Sequence, residues 1–187
     1  VEGQTFELDQ PIEDHAVGLS LVIDMFNTHG PALADAGIRA IGHRVVQGGK
    51  YFDKAVLITD EVEQIIENLI PLGPLHNPAH LKGIKVAREM FDVPNIAVFD
   101  TAFFQSLPNE SATYALNRDV AEKYQIRRYG AHGTSHQFVS GAVSELLGRD
   151  DLKQIVLHLG NGASASAVVA GKAVDCLLYT SDAADGS

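Results

Sequence analysis

One cysteine, Cys176, stands among 187 residues. No disulfide can form within the chain, which fits a reducing compartment and makes a cytoplasmic location the expectation. Basic residues are scarce, 14 Lys and Arg against 24 Asp and Glu, for a formal net charge of -10. A face that binds a phosphate backbone needs clustered cations, so nucleic acid is not an expected partner, although a single local Arg site stays open. No apolar run is long enough to span a bilayer, so no membrane partner is expected either. Repeats and low-complexity tracts are also lacking. The opening VEGQTFELDQPIEDH is acidic and polar, unlike a secretory or transit peptide. It lacks an initiator Met, so the chain is expected to begin inside a longer gene. What remains is 45% hydrophobic and 20% charged, enough for a sizeable core in an ordinary globular protein.

The periodicities predict an α/β fold with a mixed sheet. EDHAVGLSLVIDMFNTHG reads as a helix with Leu19, Val22, Met25 and Phe26 on one face, ending at Gly30. IRAIGHRVVQGGK reads as a strand that breaks at Gly48-Gly49. TDEVEQIIENLI is a helix capped by Asp60, with Glu63 as the reciprocal partner of a capping box. In PLGPLHN, Asn77 is placed as the cap and Pro78 at the first position of a helix reaching about Phe91. NIAVFD is a short buried strand ending on Asp100, and RDVAEKY another helix. GTSHQFVSGAVSELLG is a helix ending at Gly148. KQIVLHLGNGASASAVVAGKAVD is an antiparallel ribbon with a Gly-Asn-Gly turn and an AGK turn.

Four places offer chemistry. Arg44, at the end of a strand, can present paired N–H donors to a carboxylate or phosphate, or be a salt-bridged surface residue. Asp100 closes an apolar strand, where α/β sheets bind ligands, or merely caps a turn. LHNPAH supplies His76, in a loop that could face a site, and His80, expected to face solvent. In HLGNGASAS the glycines let backbone amides approach a phosphate, although Asn-Gly is also a plain hairpin turn. YGAHGTSH sets His132 and His136 four residues apart, a spacing that can serve a metal. A metalloprotease helix has a Glu beside the first His, and Gly133 stands there instead. Gly133-Thr134 places the helix start after His132, so the helix N-terminus favours an anion over a cation.

Taken in order, GHRVVQGG, LHNPAH, FDTAFFQSLP, IRRYGAHGTSHQFVS and HLGNGASASAVVAGKAVD resemble the acetate kinase family of the acetate and sugar kinase superfamily. The resemblance spans roughly Leu8 to Asp175. It implies an actin-like, ribonuclease-H-like ATPase fold, a homodimer, and reversible phosphoryl transfer from ATP to acetate with Mg²⁺, giving ADP and acetyl phosphate. It implies that Arg44 grips acetate or acetyl phosphate, that Asp100 is the catalytic carboxylate, and that His132 donates to the phosphoryl oxygens. It also implies that Val46 and Leu75 wall the methyl group. His158, Leu159, Gly160, Asn161 and Gly162 become a nucleotide-phosphate segment. Acetate is already a nucleophile and needs no base, so Asp100 reads as an organiser of metal, water or Arg44 rather than a proton abstractor.

Ala131 stands where the family usually has Phe, so a roomier acyl pocket and a propionate or other short-chain acyl kinase form the alternative reading. Gln47 and Phe104 each replace a frequent His and weaken any His-cluster metal site. A metal-dependent hydrolase using Asp100, His132 and His136 is the reading from another class. Residues 1–150 are expected to be the N-terminal kinase domain without its first strand and phosphate loop, and 151–175 the start of the nucleotide-binding domain. Cys176 to Asp185 can be written back into a transposon-end adapter sequence, so 176–187 are expected to be a non-native tail. A chain so cut is expected to turn over little and to expose apolar surface.

Overall fold

The computed structural model describes residue 3 and residues 5–31, 33 and 36–179. Most of the expected tail, 180–187, lies outside the described residues.

Two three-stranded sheets carry the chain. In the first, β1 (Ile41–Val45) pairs in parallel with β3 (Asn95–Phe99), and β2 (Val56–Leu57) pairs antiparallel with the far side of β3. β3 is therefore central, and its residues alternate: Asn95, Ala97 and Phe99 are buried. They meet α2 (Asp60–Asn68) and α3 (Asn77–Met90) through Ile66, Leu69, Leu81 and Ile84, with Phe52 stacked on Phe99 at 4.2 Å. Burial of side chains this large contributes roughly 1.5–3 kcal/mol each. The second sheet is a meander, β4 (Lys153–Leu159), β5 (Ala163–Val169) and β6 (Lys172–Tyr179), all antiparallel.

The expectation of one mixed sheet thus becomes two sheets, the first mixed and the second antiparallel. Between them lie a 3₁₀ segment, Ala102–Ser106, and α6 (Gly133–Leu147), which contact both β3 and the second sheet. Phe104, Leu107 and Ala112 pack with Ala173 and Cys176 of β6, joining the two halves. Burial pushes the Cys176 thiol up to about 11, which leaves it an inert core residue of the strand.

Local corrections follow from competing partners. α1 (His15–His29) is capped by Asp14, whose carboxylate accepts from the Val17 amide, and it ends at Gly30 as expected. Val22 and Phe26 of its apolar stripe are exposed, because α1 is an outer layer whose main contact is α3. α2 is capped by Thr59 rather than Asp60: the Thr59 hydroxyl accepts from the Val62 amide. Glu63 does not close a capping box but pairs with Arg88 of α3. Asn77 lies inside α3, with His76 in the cap position, because its amide group is committed elsewhere, as described below. The short helices α4 (Asn109–Ala112) and α5 (Arg118–Lys123) lead to the extended IRRYG segment.

The outer row of β4, Ile155, Leu157 and Leu159, is exposed, as are Phe138 and Leu146 of α6. Among the described residues no helix is long and apolar enough to cross a membrane.

Gly133 is the tightest joint between the halves. Its amide donates to the Asp100 carbonyl at 3.0 Å, and a Cβ added there would overlap that oxygen and crowd Phe103. Backbone cannot swing aside as a side-chain tip can, so Gly133→Ala is expected to destabilise by at least about 1–3 kcal/mol. A urea-unfolding midpoint equal to that of the parent chain would show that the joint yields freely.

Candidate active site

Parallel pairing brings the carboxyl ends of β1 and β3 to one edge. Arg44 lies opposite Val98 and Val45 opposite Phe99, and the Asp100 amide extends the ladder by donating to the Val45 carbonyl at 2.9 Å. Arg44 therefore reaches Asp100 directly. Its Nε donates to both carboxylate oxygens at 3.1 and 3.2 Å, and its Nη2 donates to Oδ2 at 2.6 Å. The Asp100 side chain is 1% exposed and that of Arg44 58%. The hydrogen bond to Asp100 holds the Arg44 guanidinium above its ordinary pKa. A buried carboxylate needs such a partner. Nη1 makes no hydrogen bond among the described residues, so the outer edge of the guanidinium can still grip an anion.

The segment after Arg44 is splinted by side chains from three places. The Val46 amide donates to His80 Nδ1 at 3.3 Å and the Gln47 amide to Asn77 Oδ1 at 3.1 Å. Asn77 Nδ2 returns a bond to the Gln47 carbonyl at 3.0 Å. The Gly48 amide donates to Thr101 Oγ1 and the Gly49 amide to Gln47 Oε1. The amides after Arg44 are thus spent on the protein, and side chains must do the binding.

His80 was expected to face solvent. It is half-buried instead, and burial, with help from His76 and Arg44, lowers its pKa, so it is a neutral acceptor for Val46. Neither His80 nor Asn77 was placed at the site by sequence. The one signal for His80 was its position one helical turn after His76, the histidine that could face a site. His76 is exposed, and Leu75, expected beside the methyl group, is 86% exposed and is not brought into this cluster.

His132 occupies the position before α6 with φ 55°, a left-handed conformation that β-unbranched polar residues tolerate better than most. It sits within the charge influence of Asp100 and Arg44. Burial, and then the neighbouring His158, lowers its pKa, which keeps it neutral near pH 7. The His132 and His158 rings stack at 4.1 Å between centroids, and His158 Nδ1 lies 3.0 Å from Ser135 Oγ. The Gly160–Gly162 turn closes over both rings. A Cβ at Gly162 would crowd His132, and one at Gly160 would touch His158. The turn is therefore a cradle that larger residues would fill, which suits a phosphate group. Leu159 points outward on β4, 79% exposed, and Asn161 is exposed in the turn.

His136 is fully buried, with Ser164 and Ser166 each 2.8 Å from one of its ring nitrogens. Both ring nitrogens are engaged in hydrogen bonds, so it cannot serve a metal alongside His132. Among the described residues no three His, Cys, Asp or Glu side chains converge to hold an ion. The hydrolase reading loses its ligand set, and the residues present do not by themselves make the Mg²⁺ site that the resemblance implies.

Solved structures share this fold. Porphyromonas gingivalis acetate kinase is 40% identical and superposes with a TM-score of 0.87, over 95% of this chain and 46% of that one. A propionate kinase from Francisella tularensis is 44% identical with a TM-score of 0.81, over 87% and 42%. The fold is therefore that of the actin-like phosphotransferases. Over 178 residues the sequence is 53% identical to acetate kinase of Corynebacterium glutamicum, covering 94% of this chain and 45% of that protein. Residues 1–180 match the Acetokinase family, and the chain belongs to it. It spans about half the length of the curated relatives it matches.

Burial lowers the His136 pKa to about 4, with His158 and His132 adding to the effect. An unfolded His binds its proton near 6.5, so between those values the unfolded state binds more protons and folding weakens as pH falls. The expected loss approaches about 1.4 kcal/mol per pH unit within that window. It precedes the carboxylate losses, which begin lower. His136→Gln keeps hydrogen-bonding groups without the titration, and urea melts of that variant should lose part of the slope between pH 6 and 4.5. An unchanged slope would mean that His136 titrates normally.

Proposed function

We propose that this chain carries the acetate side of an acetate kinase and the first phosphate-binding turn of its nucleotide half. The observation that carries the reading is the convergence of three groups at one edge: a half-open guanidinium anchored on a buried carboxylate, a neutral imidazole, and a glycine turn closing over that imidazole. Phosphoryl transfer asks a protein for alignment and charge neutralisation more than for covalent chemistry. Arg44 would hold the acetate carboxylate, with Val46 beside it. One acetate oxygen, already anionic, attacks the γ-phosphorus of ATP while the bond to ADP breaks. His132 donates to an equatorial phosphoryl oxygen where negative charge gathers. Asp100 fixes the guanidinium by accepting its N–H groups. His158, Leu159, Gly160, Asn161 and Gly162 form the segment that receives the nucleotide phosphates, Gly160 and Gly162 by leaving room for them. Mg²⁺, when bound, supplies charge neutralisation on the phosphates, and no step here is assigned to it. A homodimer belongs to the same proposal.

The test is formation of acetyl hydroxamate from ATP, acetate and hydroxylamine by the full-length gene product. Arg44→Ala and His132→Ala, each removing a donor aimed at developing or fixed charge, should lower kcat/KM by roughly 10²–10³. Full activity in either variant would remove that residue from the reaction.

A second reading is favoured by Ala131, next to His132, and supported by the likeness to a propionate kinase. A methyl side chain in place of the ring usual in the family leaves space for a longer acyl group. One methylene is worth about 1–3 kcal/mol in such a pocket. Ala131→Phe is therefore expected to shift the kcat/KM ratio toward acetate and against propionate by about tenfold or more. A ratio that does not move would return the acyl pocket to other residues.

A further inference from the structure

Ser164 and Ser166 lie two residues apart on β5, so both point to the same face, toward α6. His132 and His136 lie four residues apart across the first turn of α6 and interleave with them. His132 Nδ1 is 2.8 Å from Ser164 Oγ, Ser164 Oγ is 2.8 Å from His136 Nε2, and His136 Nδ1 is 2.8 Å from Ser166 Oγ. All except His132 are buried.

A neutral imidazole has one N–H, and a hydroxyl donates one proton. Two directions along the series are open, because the third arrangement, Ser164 Oγ accepting from both rings, strands the Ser164 hydroxyl proton, which has no other acceptor among the described residues. If the series ran from His132 to Ser166, the last hydroxyl proton would need another acceptor. Among the described residues Ser166 Oγ has none besides His136 Nδ1. A buried donor left unmade forfeits its hydration with nothing in return. Run from Ser166, the series leaves nothing over: Ser166 O–H donates to His136 Nδ1, His136 Nε2–H to Ser164 Oγ, and Ser164 O–H to His132 Nδ1. The one N–H that emerges is His132 Nε2–H, whose nitrogen faces the Gly160–Gly162 turn and makes no hydrogen bond among the described residues.

We propose that Ser164 and Ser166 are positioning residues that hold His132 as the Nε2–H tautomer, so that it presents a donor and not a lone pair to the phosphate cradle. The low pKa values of both histidines keep them neutral, as the series requires. A bare nitrogen facing a phosphoryl oxygen would repel it, so the wrong tautomer would abolish the donation assigned to His132. That consequence rests on the proposed function; the tautomer itself does not.

Nitrogen-15 labelling of the histidines in this chain, read by long-range proton–nitrogen correlation at neutral pH, tests the proposal without any turnover. His132 and His136 should each show a protonated Nε2 and a bare Nδ1, with no averaging. Free imidazole also leans toward that tautomer, so the decisive arm is Ser166→Ala, a site that touches His136 but not His132. It should move the His132 Nδ1 signal toward the protonated position as the two tautomers mix. Ser166→Thr, which keeps the hydroxyl, should restore the parent spectrum. A protonated Nδ1 on either histidine of the unaltered chain would overturn the proposal. So would a folded Ser166→Ala chain with an unmoved His132. The parent measurement stands even if the Ala variant fails to fold. A correct tautomer in a full-length protein that makes no acetyl phosphate would sink the proposed function and leave the relay intact.

Discussion

Asp100 is tied into the structure through each of its polar groups. Its amide extends the β1–β3 ladder, its carbonyl receives the Gly133 amide at the start of α6, and its carboxylate receives Arg44. A carboxylate 1% exposed would be costly alone. Pairing with Arg44 offsets that cost and fixes the guanidinium over the strand ends. The same residue sets where α6 begins, and so where His132 stands. Sheet edge, guanidinium and imidazole are thereby referred to one backbone position.

The second sheet is built to approach that position closely. The inner face of β5 carries Ser164 and Ser166 where a barrel or sandwich would carry large aliphatic groups. Small hydroxyl residues let the first turn of α6 lie near the strand, and they also satisfy the ring nitrogens of His136. The Gly160–Gly162 turn repeats the theme, since its glycines allow the loop to close over His132 and His158. Room near the imidazoles therefore comes from missing side-chain atoms in the neighbours. Rigidity comes from hydrogen bonds: the Val46–Gly49 amides are held by His80, Asn77, Thr101 and Gln47, none of which needs to touch substrate.

Sequence periodicity located β1, β3, α3, α6 and the three-stranded ribbon closely, because each has a strong local pattern and a clear start, stop or turn: Gly48-Gly49, Asp100, Pro78, Gly148 and Ala170-Gly171. Five motif blocks in order were enough to assign the family. Local rules failed where two partners competed for one group. Thr59 took the cap that Asp60 could have made, Arg88 took Glu63, and the Gln47 backbone took the Asn77 side chain. Val22 and Phe26 show a helical stripe wider than α3, its main neighbour among the described residues, can cover.

By itself the sequence determined which elements form, and which short segments carry charge and glycine. Those are properties of neighbours along the chain, governed by periodicity, capping and backbone freedom. Only the tertiary structure decided that His80 turns inward, that Leu75 stays outside, and that Ser164 and Ser166 interleave with His132 and His136. Those contacts join residues about 30 positions apart. They depend on the register of β5 against α6 and of α3 against β1, which no local pattern records, because many registers would satisfy the same alternation of apolar and polar residues.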